Sequence, residues 1–482
     1  MDRQKDVYLQ VGKYLLEQFS IPAFRLHATI GLVDRDRVQF YHANHSVILV
    51  SSAINFAVAG NARGLEKLIA IVIAFSRLSL RDNGILYDLH DLHLFRDNGK
   101  LSTPKLDRGA MRMRERSQLE FGGNEETGPF TLTYGEVISH EPSLAGRSTA
   151  VLHATSPRWK DADLVVKIGW PNSDRVSEID FLKKATKVAE SIAGGEWALK
   201  HLPRVFFAQD VVFDPDSAHG KVASLFDDAE FVGEGYKYER RTLRIIIQER
   251  LYPLKTLTNV RDIAQVLLDV ACSTWVLFPP RLPSIYASLV HRWLHDHAGV
   301  LHSDLSLNNI MYRIIKEMNA AGMEEEKVYG VLTDYDLSSW IRLDCTKTLE
   351  QRTGTPPYMA YELLRGTSPL HLYRHDVESL FYIMLTLAAH HEIQVPGEGR
   401  NGGVRARQGK LPYRTLFDER PYKSLAAFKH TFFLDLDDLD LSPSFEGFRV
   451  WLNCLRRSFQ LGFRAKSDHG WQSRVEIGRA HV

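Results

Sequence analysis

Cysteine is nearly absent from this chain, with Cys272, Cys345 and Cys454 the only three in 482 residues. An odd number at such wide spacing excludes a disulfide framework and fits a reducing compartment. Long apolar runs are missing too. The longest, near Val47–Ala59 and Leu68–Phe75, are too short or too polar to span a bilayer. The N-terminus, MDRQKDVYLQVGKYLLEQF, carries charge throughout and lacks the apolar centre of a signal peptide. Net charge is also lacking: 60 Lys and Arg against 59 Asp and Glu leave +1, so no global field draws the chain to nucleic acid or an acidic membrane. The expectation is an intracellular protein, cytoplasmic or nuclear, with no nucleic-acid or membrane partner and an oligomeric state left open.

What is present is ordinary globular composition, 44% hydrophobic and 25% charged, in a chain long enough for two or three domains. Phe24–Val33 is apolar and β-prone, DRDR makes a turn, and Val38–Tyr41 resumes, which reads as a hairpin. Gly64–Leu78 has helical spacing, and the polar stretch from Arg81 to about Gly128 reads as loop or linker. From Phe130 onward come short β-rich runs (FTLTYGEVI, TAVLHAT, LVVKIGW, VFFAQDVVF, LRIIIQER), interrupted by one helical stretch, Val176–Ala193. Beyond about Leu251 long helical patterns dominate: IAQVLLDVACSTWVLF, SIYASLVHRWLHDH, DVESLFYIMLTLAAHH and FEGFRVWLNCLRRSFQ. A sheet-rich piece before a helix-rich piece predicts an α+β architecture in two lobes. The expected division is 1–129, 130–250 and 251–475. The last residues form a separate case, because Ile477–Val482 can be encoded by ATC GGA AGA GCA CAC GTC. That string resembles the start of a sequencing-adapter read, so residues 476–482 are expected to belong to no fold.

Several residues carry possible chemistry. Gly146, among small neighbours where two strands meet, could let backbone amides approach phosphates, or could simply serve a hairpin turn. Lys167 lies inside an apolar strand pattern, where an ammonium needs a partner; Glu178 on the next predicted helix could supply one. The alternative is a strand-end lysine reaching water. In LHSDLSLNNIMYR, His302, Asp304 and Asn309 combine a carboxylate for an acceptor proton with an amide oxygen for a metal ion. The run Ile310–Ile315, a polar tip Lys316–Lys327 and the run Val328–Leu332 predict a hairpin that delivers Asp334 to the same edge as Asn309. RTGTPPYMAYELL follows, and then HDVESLFYIML, whose Asp376 opens a helix.

In this order the motifs resemble the protein-kinase signature set, and HSDLSLNNI, LTDYDLSSW, RTGTPPYMAYELL and HDVESLFYIML look closest to the fungal-type protein kinase family. Members also have an N-terminal piece like FRLHATIGLVDRDRVQFYHANHSVILVSSAINF. The resemblance implies a two-lobed protein-kinase-like fold with a β-rich N-lobe, a helical C-lobe and an N-terminal α+β extension. It also implies Mg·ATP-dependent phosphorylation of protein Ser or Thr, the protein substrate being unknown. Lys167 would bind the α- and β-phosphates with Glu178 as its partner, and Gly146 would lie over the phosphates. Asp304 would be the base or orienting carboxylate, and Asn309 and Asp334 would bind Mg²⁺. Leu251 and its neighbours would cross the hinge. Thr355 would favour a Ser/Thr acceptor, Glu362 would close the activation segment, and Asp376 would support the catalytic loop behind His302.

Four positions depart from the general kinase pattern. Ser303 replaces an Arg that pairs with activation-segment phosphate, which predicts little dependence on such phosphorylation. Ser306 replaces a Lys near the transferred phosphate, although the fungal-type family has Ser there as well. Asp336 replaces a flexible Gly, and Tyr361 replaces a Pro. Two other readings stay open: a nucleotide-binding pseudokinase or scaffold, and a small-molecule kinase of the aminoglycoside or choline type.

Overall fold

The computed structural model describes residues 2–20, 25–56, 62–78, 83–84, 88–89, 92–97, 100–101, 118–211, 213–227, 238–270, 290–319, 321–341, 354–365, 370–394, 402–418, 420–435 and 437–468. Two compact units divide the chain. The first contains Met1–Arg175 and Arg204–Arg250, the second Val176–Pro203 and Leu251–Val482.

The first unit begins with a helix, Asp2–Phe19, where sequence reading had noted only charge. Its signal is sparse but regular: Val11, Leu15 and Phe19, four apart, are buried against Ala28, Tyr41 and Ala43. Those partners belong to the predicted hairpin, His27–Asp34 and Arg37–Asn44, paired in register from His27↔Asn44 to Asp34↔Arg37. The helix expected at Gly64–Leu78 spans Ala62–Arg77.

A large antiparallel sheet follows. Its strand order is Val205–Val211, Leu243–Glu249, Leu164–Gly169, Ala150–Thr155, Phe130–His140, Gln118–Phe121, Leu92–Asp97, Asp88–Leu89. On one face Leu152, Leu164, Val166, Ile168, Ile245 and Ile247 alternate inward and are buried. Phe121, Phe130 and Phe207 close that core with ring centroids 4.8–5.5 Å apart. Each such side chain contributes roughly 1.5–3 kcal/mol. The strands Leu92–Asp97 and Gln118–Phe121 correct the expectation of loop over 81–128. Each of these strands is laddered to a neighbour on both sides, so its own sequence needs little apolar alternation.

In the second unit the predicted hairpin is longer than expected, Ile310–Met318 against Glu324–Leu332, in register throughout. The charged residues assigned to its tip are paired strand residues. The turn itself is Asn319–Met323, where the Asn319 carboxamide oxygen accepts from the Ala321 and Met323 amides, each at 3.0 Å. The helix Tyr373–His390 is buried along nearly its whole length. Phe381 packs against Phe433 from the helix Tyr422–Leu434 and, edge-on, Phe459 from Arg449–Asp468, at centroid distances of 5.3 and 6.0 Å. Tyr422–Leu434 was not expected as a helix because its buried stripe, Leu425, Ala426, Phe432 and Phe433, is interrupted by Lys429. Of the helices expected at 263–278 and 284–297, the described parts are Val260–Val270 and Val290–Trp293, the latter running into a π turn, Leu294–Ala298. The expected adapter-like tail lies outside the described residues.

Candidate active site

The loop His302–Asn309 leaves the short strand Val300–Leu301 and enters the strand Ile310–Met318. His302 is fully buried, and its Nε2 lies 2.9 Å from the Thr333 carbonyl. A carbonyl only accepts, so Nε2 carries the proton and Nδ1 receives the Asp304 N–H at 3.4 Å. Burial lowers the His302 pKa, which matches a neutral ring holding two backbone groups. Asp304 is buried, and its Oδ1 accepts the Thr355 hydroxyl at 2.8 Å. The Asn309 amide nitrogen donates to the Asp304 carbonyl at 2.8 Å. With the nitrogen directed there, the Asn309 oxygen is the end that can ligate a cation.

Asp334 follows the hairpin and sits at φ 61, a left-handed conformation tolerated by Asp better than by most residues. Its carboxylate lies with those of Glu178 and Asp336, one oxygen from each within 4.8 Å of the others. Three carboxylates this close fit a hard divalent cation, which takes oxygen ligands of this kind. The residues present therefore suit a divalent metal ion. Asp336, which stands in place of a flexible glycine, is the third member of this group. What could have flagged the carboxylate group is the spacing Asp-x-Asp after a strand.

Asp376, at the first turn of Tyr373–His390, is completely buried. Its Oδ2 accepts from His291 Nε2 at 3.0 Å and from the Ser303 amide at 3.2 Å, and its Oδ1 from His371 Nε2 at 2.7 Å. Burial alone would raise its pKa, yet His371 and His291 together hold it well below the usual carboxylate range. Ser303 has φ 66, and the bond from its amide to Asp376 fixes this uncommon backbone. The helix Asp thus reaches the residue directly before Asp304. Neither His291 nor His371 was singled out from sequence.

The segment Gly354–Ala360 has its own anchors. Glu362 Oε2 accepts from Arg374 at 2.7 Å and from His375 at 3.1 Å. Lys429, with no exposed surface, donates to the Pro357 and Met359 carbonyls at 2.8 and 2.6 Å. Its ammonium stands 3.7 Å from the Tyr382 ring centroid. Glu378 accepts from the Tyr361 amide and the Tyr382 hydroxyl, both at 2.8 Å. Burial lowers the pKa of Lys429 and raises that of Glu378. A lysine inside an apolar stripe was the signal for this network, and sequence reading passed it over.

The remaining expected site residues are Gly146 and Lys167 in the first unit and Leu251 in the second. Lys167 stands on the strand Leu164–Gly169, paired with Val151 and Ile246, on the face opposite Val166 and Ile168. Its expected partner Glu178 belongs to the second unit. Gly146 lies in the turn between Phe130–His140 and Ala150–Thr155. Leu251 is the residue at which the chain enters the second unit for the second time.

An oriented carboxylate and an oxygen-only ligand set within one unit are the equipment of metal-assisted group transfer. The model of the fungal protein kinase family matches residues 2–200 and 287–388, more than half of the chain, which therefore belongs to that family. The match takes in the N-terminal helix and hairpin as well as Lys167, Glu178, Asp304, Asn309, Asp334, Glu362 and Asp376. The family is one of protein kinases, for which ATP and a divalent metal are the general co-reactants. No curated protein matches the chain. Among the described residues no helix is long and apolar enough to cross a membrane.

Proposed function

We propose that this chain is a Mg·ATP-dependent kinase that transfers the γ-phosphoryl group to a Ser or Thr of another protein. Residues 130–250 then act as the N-lobe and 251–475 as the C-lobe, behind the extension 1–129. The observation that carries this reading is the 2.8 Å bond from Thr355 to Asp304. It ties the segment that positions a peptide in protein kinases to the carboxylate that meets the acceptor. Small-molecule kinases have no need of that segment.

In this reading Asp304 aligns the acceptor hydroxyl and takes its proton as the new O–P bond forms and the bond to ADP breaks. Asn309 and Asp334 hold the metal, with Glu178 and Asp336 completing the oxygen set. Bound Mg²⁺ neutralises charge on the phosphates. Lys167 binds the α- and β-phosphates, Gly146 covers them, and Leu251 belongs to the adenine-side segment. Ser303 offers no guanidinium to an activation-segment phosphate, so activity proceeds without one.

The test is ³²P transfer from Mg·ATP by the purified chain to itself, to a protein mixture and to a metabolite mixture, with Asp304→Asn and Asp334→Asn alongside. Label in protein that both variants abolish is the expected result. Label that survives both changes overturns the site. Label confined to metabolites supports a small-molecule kinase, and ATP binding without transfer a pseudokinase.

A further inference from the structure

The loop Glu141–Thr149 has one glycine, yet it is bound on two sides by the N-terminal helix and hairpin. Leu144 packs into the core formed by Val11, Leu15, Phe19, Ala28, Tyr41 and Ala43, and its Cδ1 would stand 3.6 Å from a Cβ placed on Gly12. Two residues on, the Gly146 amide donates to the His45 carbonyl at 3.1 Å. The His45 ring is held between Phe19 and Trp170, at centroid distances of 4.7 and 4.5 Å. Trp170, three residues beyond Lys167, returns the contact: its amide donates to the Arg147 carbonyl at 2.7 Å. The His45 Nε2 meets the Arg25 carbonyl at 3.1 Å, and with 2% of its surface exposed His45 is locked in place. A side chain at Gly146 would be strained by its φ of 154 and would press on the Ser143 hydroxyl. Ser148, at φ 40, is fixed in the left-handed region as well.

We infer that the N-terminal helix and hairpin are a working part of the nucleotide site, with His45 and Leu144 as positioning residues that hold Glu141–Thr149 ready for the nucleotide's phosphates. This rests on the kinase reading above. A loop rich in glycine is mobile and orders itself on its ligand; this loop is ordered in advance by packing, so less conformational freedom remains to be lost on binding.

The experiment compares binding of Mg·ATP and of adenosine to the full chain by calorimetry, together with amide exchange over 141–149. The variants are His45→Ala, His45→Phe, Leu144→Ser and, as a nucleotide control, Lys167→Met. His45→Ala and Leu144→Ser are expected to speed exchange at Ala145–Ser148 and weaken Mg·ATP by about fivefold or more while adenosine affinity holds, because preorganisation acts on the phosphates alone. His45→Phe, which keeps a ring between Phe19 and Trp170, restores both. If His45→Ala fails to fold, Leu144→Ser decides, since it changes a partly exposed loop residue. Faster exchange with unchanged Mg·ATP affinity overturns the inference and leaves the kinase reading intact. So does an equal loss for adenosine. A wild-type chain that binds no Mg·ATP overturns both.

Discussion

Asp376 and Glu378 lie two residues apart on one buried helix, and their surroundings treat them in opposite ways. Asp376 receives two imidazole nitrogens and an amide, and is held ionised although nothing of it reaches solvent. Glu378 receives one amide and one hydroxyl, and burial raises its pKa above the ordinary carboxylate value. The helix that carries them is common to both, so the donors decide. Each acid serves Asp304 from a different side. Asp376 grips the Ser303 amide, while Glu378 and Lys429 grip the stretch that leads to Thr355.

Removing the point on which both anchors converge has the largest effect. Asp304→Asn should lower phosphoryl transfer by about 10²–10⁴-fold, the range for losing a positioned proton acceptor, read as initial rates with radiolabelled ATP. The anchors themselves should then rank. Asp376→Ala strands three buried donors and should cost about 3–5 kcal/mol of stability in urea unfolding, as expected for breaking a buried charged group's pairing. Lys429→Met fills similar space and leaves two carbonyls bare, for about 1–3 kcal/mol. A larger loss for Lys429→Met would invert the comparison.

His375, directly before Asp376 on the same helix, sharpens it through pH. Burial holds its folded pKa at about 4, below the ordinary 6.5. The unfolded chain therefore binds the proton first, and stability that is full above 6.5 is lost as pH falls towards 4. His375→Gln should make that decline shallower by at most about 3 kcal/mol, seen as urea midpoints measured at pH 7, 5.5 and 4.5. The smallest effect is at Ser303→Gly. Relieving a left-handed serine should stabilise by about 1 kcal/mol if the amide bond to Asp376 keeps its geometry, detectable as a rise in Tm.

Much of this was legible from sequence wherever periodicity and chemistry coincide. Leu164–Gly169 and Leu243–Glu249 are dense in β-branched residues, and Asp304, Asn309 and Asp334 follow one another at spacings that a hairpin must bring together. The anchors were harder to see. Lys429 reads as an interruption of a helix stripe until its two carbonyl partners are known, and those lie about 70 residues away in sequence. His291 and His371 are ordinary histidines until folding places them on Asp376. The helix Asp2–Phe19 was missed because three buried positions among many charges form a weak stripe. The grouping of Glu178 with Asp334 and Asp336 depends on how the helix Glu178–Ser191 packs within the second unit, which no local pattern shows.

That helix has one further consequence. Because Val176–Pro203 belongs with the second unit while its flanking strands belong with the first, the chain crosses between units three times. Neither unit is a continuous stretch of polypeptide. No single start or stop codon can isolate one of them, and a fragment ending at Arg175 loses the sheet strands Val205–Val211 and Leu243–Glu249. Dissecting this protein therefore calls for point substitutions or grafted linkers, since no simple truncation leaves one unit whole and free of the other.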